Sequence, residues 1–533
     1  MARPSVQPLA IAGLLLSVHL TTPAVAQDVF QPRQVWVHHP DAGTPWIPGD
    51  VHLTGRENLV IGAMGGANPR WLAIDTHASG TVGARFVEVG GHRLAQSIRT
   101  AAARDVARGF ALDAIPIPNS TFRNLFVGGY DLGDAAQSQG LGATWLHAMS
   151  GVSDGTTQLA CSKDGRIVVA AGHDTSLDTV HVEVLLGETG AVLTALDLDG
   201  VALNALDVSD DGRRIAISAG LDLYVIDHLG TMRHHETLAY SSRAISLAHD
   251  GSRLAVGALG SLRVLEDAPG AWVPVFTLNR AADEVASCVD LDADGTTLAA
   301  GWWNHVIGSS ARLEMWNVDA NTLHNDLELG TSPGARQNLP EVVRIVADGH
   351  RAAFGTWGDD VSLPEVFLLA RGFDVPVATF DVSGSVRGLD IDALGRRVLV
   401  AHKSTHNNEF SSVGAIRLFD TGEGELRQLT AAVHGQPVSF AVRPEVPASI
   451  SLLVHGVRAH TPLSIPGVPG ALLVDRGSAS IQAAVLGSSG QAIHTLQVPD
   501  DPDLIGTYLA VQPVLRGPSG TRFSDDWLAP LVF

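Results

Sequence analysis

The chain has 533 residues, of which 45% are hydrophobic and 17% charged, and its formal net charge is −21. That is the composition of a globular protein, and so acidic a surface argues against nucleic acid and anionic lipid as partners. Lysine occurs only at Lys163 and Lys403, and no basic run or basic-aromatic stripe offsets the acidity.

The first 26 residues read as a cleavable signal peptide. Arg3 supplies a positive start, Leu9–Leu20 an apolar stretch, and Ala24-Val25-Ala26 a small-x-small cleavage site before Gln27. The apolar stretch falls short of the roughly 20 residues that a bilayer span needs, and no later run reaches that length. A retained N-terminal anchor is the other reading. Arg3 is the only charged residue in the segment, so cleavage takes the net charge from −21 to −22. The expectation is an exported chain, extracellular, periplasmic or at the cell surface, with no membrane insertion.

Six times between Asp164 and Gly395 a tight turn runs straight into a short apolar strand. The turns are Lys163-Asp164-Gly165-Arg166, Asp211-Gly212, Asp250-Gly251, Asp294-Gly295, Asp348-Gly349 and Leu394-Gly395. Successive glycines lie 47, 39, 44, 54 and 46 residues apart. A hairpin repeat of this period predicts a β-propeller with four short strands in each blade. In one unit Leu203–Ser209 alternates toward the turn, Arg213–Ala219 returns, Leu221–Asp227 follows, and His228-Leu229-Gly230 leads to a fourth strand. Asp-Gly reads as a two-residue hairpin loop, whose backbone must enter positive φ.

Two weaker units precede these, at Thr54-Gly55-Arg56-Glu57 and Pro118-Asn119-Ser120. Leu94–Arg108 aligns as an outer strand plus linker, with an amphipathic helix as the alternative. Eight hairpin candidates thus occupy residues 30–432. Seven blades with one irregular hairpin is the preferred count, and eight the alternative. Cys161 and Cys288 fall three repeats apart, on different blades. A disulfide needs Cα atoms within about 7 Å, so two free thiols are expected.

Residues 433–533 break the rhythm. Prolines cluster at Pro437, Pro444, Pro447, Pro462, Pro466 and Pro469, and strand-like stretches recur without further Asp-Gly hairpins. This predicts a small β-sandwich. The fold class is therefore all-β: signal peptide 1–26, a seven-bladed (alternatively eight-bladed) β-propeller over 27–432, and a C-terminal sandwich over 433–533.

Val208-Ser209-Asp210-Asp211-Gly212-Arg213-Arg214-Ile215-Ala216-Ile217-Ser218 resembles the central hairpin of bacterial WD40-like and YVTN-type propeller repeats. Leu313–Asp319 and Ile416–Asp420 resemble the third strand, where WD repeats end in Trp-Asp, although most blades here lack that dipeptide. Leu496–Gly506 with Gln512 resembles a C-terminal module of secreted planctomycete and myxobacterial proteins. That module ends in a Ser-Asn-containing strand, where this chain has Ser524-Asp525. The resemblance implies the fold and extracellular display, and no reaction.

The connections after the return strands share one face of a propeller, and here they are unequal. Ala219-Gly220 is minimal, whereas four others are long and polar or aromatic. They place His173 and Asp174, Trp302, Trp303, Asn304 and His305, Trp357, Asp359 and Asp360, and His402, Lys403 and His406 on a candidate ligand-binding face. Gly128–Asp131 and Met64–Asn68 would join them. The alternative is that these loops only cover the channel mouth, with Trp302 or Trp357 packed between blades.

Three sharper motifs carry less. Asp290-x-Asp292-x-Asp294-Gly295 and Asp207-x-Ser209-x-Asp211-Gly212 open like calcium loops, but Leu298 and Ile215 stand where a further acid is needed, so they read as turns. Gly151-Val152-Ser153-Asp154-Gly155 fits the nucleophile-elbow string, but a strand follows where that motif needs a helix. His173, His305 and His402 would need to converge to hold a metal, and no local spacing supports it. No cofactor, metal or catalytic residue is therefore expected. The functional expectation is a secreted, monomeric, non-catalytic propeller that presents its loops to a protein or glycan. The alternative is an enzyme on the same face: a lactonase, glycosidase or metal-dependent oxidoreductase.

Overall fold

A computed structural model describes residues 33–38, 47–53, 59–65, 70–75, 86–89, 98–105, 108–117, 120–131, 143–153, 155–307, 310–330, 337–358, 363–373, 375–409 and 413–421 of the first part of the chain. Beyond these it describes 426–428, 435–442, 450–456, 458–464, 471–474, 480–485, 492–500, 510–517 and 520–523. The signal-peptide segment 1–26, Asp359, Asp360 and Ser524-Asp525 lie outside the described residues. Two compact units emerge, Gln31–Glu423 and Gly424–Phe533.

In the larger unit seven four-stranded antiparallel sheets follow one another along the chain, beginning with Ile47–Leu53, Ile98–Ala102, Thr157–Cys161, Leu203–Val208, Ala244–Leu247, Glu284–Leu291 and Pro340–Ile345. An eighth comprises Ser385–Ile391, Arg397–Lys403 and Gly414–Asp420, and takes its outer strand, Arg33–His38, from the other end of the unit. Each first strand packs on the first strand of the next sheet, and Ser385–Ile391 returns to Ile47–Leu53, which closes the ring. This is a β-propeller of eight blades, the alternative above and not the preferred seven, because Arg33–His38 completes an eighth four-stranded sheet.

The chain forms these sheets because its second strands are apolar on both faces. Ile167, Val168, Val169, Ala170 and Ala171 are all buried in succession. Alternate members face opposite neighbours: Ile167, Val169 and Ala171 join a core shared with the fourth sheet, while Val168 and Ala170 join one shared with the second. A strand covered on both sides reads as a continuous apolar run rather than an alternating one. Each such Val or Ile contributes about 1.5–3 kcal/mol on burial.

All six repeat glycines have positive φ, between 66° and 70°. The loop is longer than two residues, however. Gly212 N–H bonds back to Ser209 C=O (2.8 Å) and Ser209 N–H to Arg214 C=O (3.0 Å), and Asp211 is not in the positive-φ region. The turn is one of ordinary hand followed by a left-handed glycine, which only glycine adopts without strain. The preceding acid accepts a local N–H: Arg213 N donates to Asp211 Oδ1 (2.9 Å), and Arg166 N to Asp164 Oδ1 (3.0 Å). In the second sheet Arg108–Pro116 and Arg123–Asp131 are the second and third strands, so the hairpin was expected one connection too late, and its Pro118 and Asn119 lie outside the described residues. Ile98–Ala102, read above as outer strand plus linker, is that sheet's innermost strand.

Sheets are stapled to one another near the channel. Asp207 accepts Leu247 N–H (2.7 Å), Asp290 accepts Ile345 N–H (2.8 Å), and Asp390 accepts Leu53 N–H (2.7 Å). At the turns, backbone bonds pass from sheet to sheet: Lys163 N to Asp210 O (3.0 Å), Asp210 N to His249 O (2.8 Å), His249 N to Ala293 O (3.1 Å) and Ala293 N to Ala347 O (2.9 Å). Cys161 and Cys288, on the third and sixth sheets, are free thiols.

The smaller unit contains a three-stranded sheet (Leu426–Gln428, Pro437–Val442, Ala492–Gln497), a four-stranded sheet built around Ile450–Gly456 and Ala510–Gly517, and a two-stranded pair. Val438, Phe440 and Leu496 of the first pack against Leu453, Val511 and Leu515 of the second, as in a small sandwich.

Candidate functional site

Second strands end, and third strands begin, on one face of the propeller. Fourth strands end there too, since Thr179 pairs with Asp199. The loop residues singled out from the sequence occupy three places on this face and do not converge. Several are strand residues: Ile167–Asp174, Thr297–Asn304 and Arg397–Lys403 run further than the loop reading allowed. Gly128–Asp131 likewise lie within the third strand Arg123–Asp131.

On the third sheet His173 is buried and its carbonyl accepts Gly155 N–H (3.0 Å). Asp174 Oδ1 accepts Ser176 N–H (2.9 Å) and Leu177 N–H (3.2 Å). On the sixth sheet Trp302, 1% exposed, belongs to the core shared with the fifth, its ring under the Arg280 guanidinium at 4.8 Å. It therefore offers no contact surface. Trp303 stands edge-on to His305 (6.2 Å), and Asn304 Oδ1 accepts Val306 N–H (3.0 Å) and Ile307 N–H (2.8 Å).

The seventh and eighth sheets bring Trp357, His402, Lys403 and His406 together. Trp357 Nε1 donates to Glu341 (3.1 Å), and its ring meets His406 edge-on (6.1 Å). His406 is fully buried, with Nε2 at 2.7 Å from Gln337 O. Lys403 Nζ donates to the carbonyls of His406, Asn407 and Glu409. Burial, helped by the nearby Arg387 charge, holds the Lys403 ammonium below its usual pKa. Arg417 Nε donates to His402 Nε2 (3.0 Å), which leaves the proton of that ring on Nδ1. These cations and imidazoles bond to one another and to backbone carbonyls of their own loop and of Gln337, so they hold this part of the face together.

What sequence reasoning missed is apolar. The Asp174 and Asn304 turns hold out Leu177, Val306 and Ile307, which are 72%, 71% and 62% exposed. Val201, Leu221 and Tyr240, in neighbouring connections of the same face, are exposed as well. Polar residues drew the eye because they are common in loops, yet here they make the turns and the aliphatic tips meet solvent.

Two further clusters lie off this face. In the turn-side half of the channel is a cavity of about 290 Å³, lined by Asp50, His52, Arg104, Asp207, Asp290 and Arg344 among others. Burial pushes the Asp207 carboxyl up to about 6 despite the Leu247 and Val208 N–H bonds it accepts. Asp390 raises Arg104, its ion-pair partner at 3.0 Å. Asp207, Asp290 and Asp390 each stand five residues before their repeat glycine, so their common layer was readable from the repeat. The second cluster joins the second and third sheets. Ser150 Oγ lies 2.9 Å from His181 Nε2, and His181 Nδ1 lies 2.7 Å from Asp197. The buried Glu183 also accepts Ser150 Oγ–H (2.7 Å), and its bond to His181 holds that imidazole above its usual pKa. Both His181 ring nitrogens face carboxylates, Nδ1 at Asp197 and Nε2 at Glu183 (3.1 Å), and Ser150 spends its proton on Glu183, which is the geometry of a polar clasp between sheets.

Among the described residues no group of three His, Cys, Asp or Glu side chains has metal-binding geometry. Compared with known proteins, the chain matches no family model and no curated protein.

Proposed function

We propose that this chain is an exported, non-catalytic binding protein that docks a protein partner on the loop face of its propeller. It would be a secreted bacterial propeller of the WD40-like and YVTN type, with the sandwich serving display. One observation carries the reading: Leu177, Val306 and Ile307 are held in solvent by turns whose own carboxylate and amide oxygens fix the backbone. Aliphatic side chains fixed in water are a standing cost that a partner removes, at about 1.5–3 kcal/mol for each one fully buried. Holding them on tied turns lowers the ordering cost of docking. Aliphatic tips favour a protein over a glycan, whose hydroxyls need polar partners. The hydrogen bonds that occupy His402, Lys403 and His406 favour binding over turnover.

The test places a photo-crosslinking residue at 177, at 307, and at Leu229, which is 63% exposed in a turn of the opposite face. The extracellular fraction of the native source supplies the partner. Discrete protein adducts at 177 and 307 but not at 229 support the reading. Equal labelling at all three positions, or adducts only at 229, refutes it.

A further inference from the structure

The channel cavity lies away from the loop face, and we propose that it is a binding site for a small neutral polyol of monosaccharide size. The argument starts from hydrogen-bonding groups that the fold leaves unspent there. Thr100 is 2% exposed and lines the cavity, and its Oγ1 has no partner among the described residues. A hydroxyl shut away from bulk water without a partner costs free energy that a ligand can return. Arg344 lines the same cavity. Its guanidinium makes one hydrogen bond, to the Val343 carbonyl (3.2 Å), and no described acid stands within ion-pair distance. His52 Nε2 is tied to Thr100 O (2.8 Å), and burial lowers its pKa, which keeps the ring neutral with Nδ1 as an acceptor.

The acceptors are rigid. Asp207 and Asp290 are pinned by the Leu247 and Ile345 N–H groups of the next sheets, and each oxygen retains a second lone pair. Fixed acceptors thus face fixed donors across a space of about 290 Å³, roughly that of ten waters at ~30 Å³ each. The mixed signs select the ligand's charge. An anion drawn to Arg344 would meet Asp50, Asp207 and Asp290, and a cation drawn to these would meet Arg104 and Arg344. Hydroxyl groups escape this conflict because each can donate to a carboxylate or accept from a guanidinium.

The experiment is calorimetric titration of the full chain with neutral hexoses and hexitols, alongside succinate and putrescine as charged controls. A neutral polyol should bind one per chain, and neither control should. Thr100→Val removes one neutral hydrogen bond and should weaken binding about fivefold, and Arg344→Gln about tenfold or more. Leu323→Glu, on the exposed outer strand of the sixth sheet and outside both sites, should leave binding unchanged. Should Arg344→Gln fail to fold by circular dichroism, Thr100→Val carries the test. The proposal is overturned if no polyol gives heat at tens of millimolar, if binding survives both channel substitutions, or if succinate or putrescine binds as well.

Discussion

Asp390→Ala should open the joint at which the propeller closes on itself. Asp390 is 1% exposed and accepts Leu53 N–H (2.7 Å), its own neighbour Ile391 N–H (2.9 Å) and the Arg104 guanidinium (3.0 Å). Leu53 is buried, so its amide is left without a partner at about 1–3 kcal/mol. Arg104 is 39% exposed at its side chain, so loss of the ion pair adds at most about 1 kcal/mol. Removing a buried charge returns part of its desolvation, and the net cost is about 2–3 kcal/mol. At ~2.1 cal/mol/K per residue, the 393 residues from Gln31 to Glu423 lose about 1 °C per kcal/mol, so Tm should fall about 3 °C. Hydrogen exchange then locates the damage. The Leu53 amide should lose protection in the variant while the Leu247 amide, held in the same way by Asp207, keeps it. A variant in which Leu53 stays protected, or in which both amides loosen equally, refutes the staple.

Gly212→Ala places a Cβ at φ +70° against Ile167 and should cost about 1 kcal/mol or more, read as a lower denaturant midpoint. Trp302→Ala empties a core position and should cost about 3–5 kcal/mol, again by denaturation midpoint, while partner crosslinking at position 307 persists in whatever fraction stays folded. Burial holds His494 down to about 4, against about 6.5 when unfolded, so the folded state resists a proton that the unfolded state accepts. The smaller unit should therefore lose stability as pH falls from 6.5 to 4, by at most about 3 kcal/mol. Faster exchange of the Ala492–Gln497 amides at pH 4.5 than at pH 7, corrected for intrinsic rates, checks this. His181 shifts the other way: the clasp's contribution is full below the unfolded value and fades as pH rises through the higher folded one. An NMR titration of His181 should place its midpoint above 6.5.

The six glycine turns were legible because left-handed backbone selects glycine, so sequence and φ report the same constraint. The second sheet was misread for the converse reason. Its first hairpin joins Ala102 to Arg108 through residues that include Arg104 and Asp105, with no glycine to mark it. The neighbouring Pro118–Ser120 turn carries stronger turn chemistry and drew the assignment one strand along. The closing strand Arg33–His38 was hidden because its partner, Gly414–Asp420, is set by ring closure and leaves no local pattern. At the loop face, Asp174 and Asn304 were seen as binding groups, and their turn-forming chemistry was overlooked. Asp207 and Asp290 went unused because each was read within its own turn, whereas their bonds run to the next sheet.

The strand Arg33–His38 has a consequence for how the molecule is made. It is synthesised first and pairs with a strand some 380 residues later, at Gly414–Asp420. The pairing has the highest contact order in the unit, so it closes last and slowly, after the other seven sheets have a scaffold to offer. Until then Arg33–His38 and the outer edge of Gly414–Asp420 are both unpaired, templates for another chain. Emergence of the last sheet is thus the step at which the protein passes from aggregation-prone to sealed. A shortened version beginning after His38 would keep its eighth-sheet edge open for good.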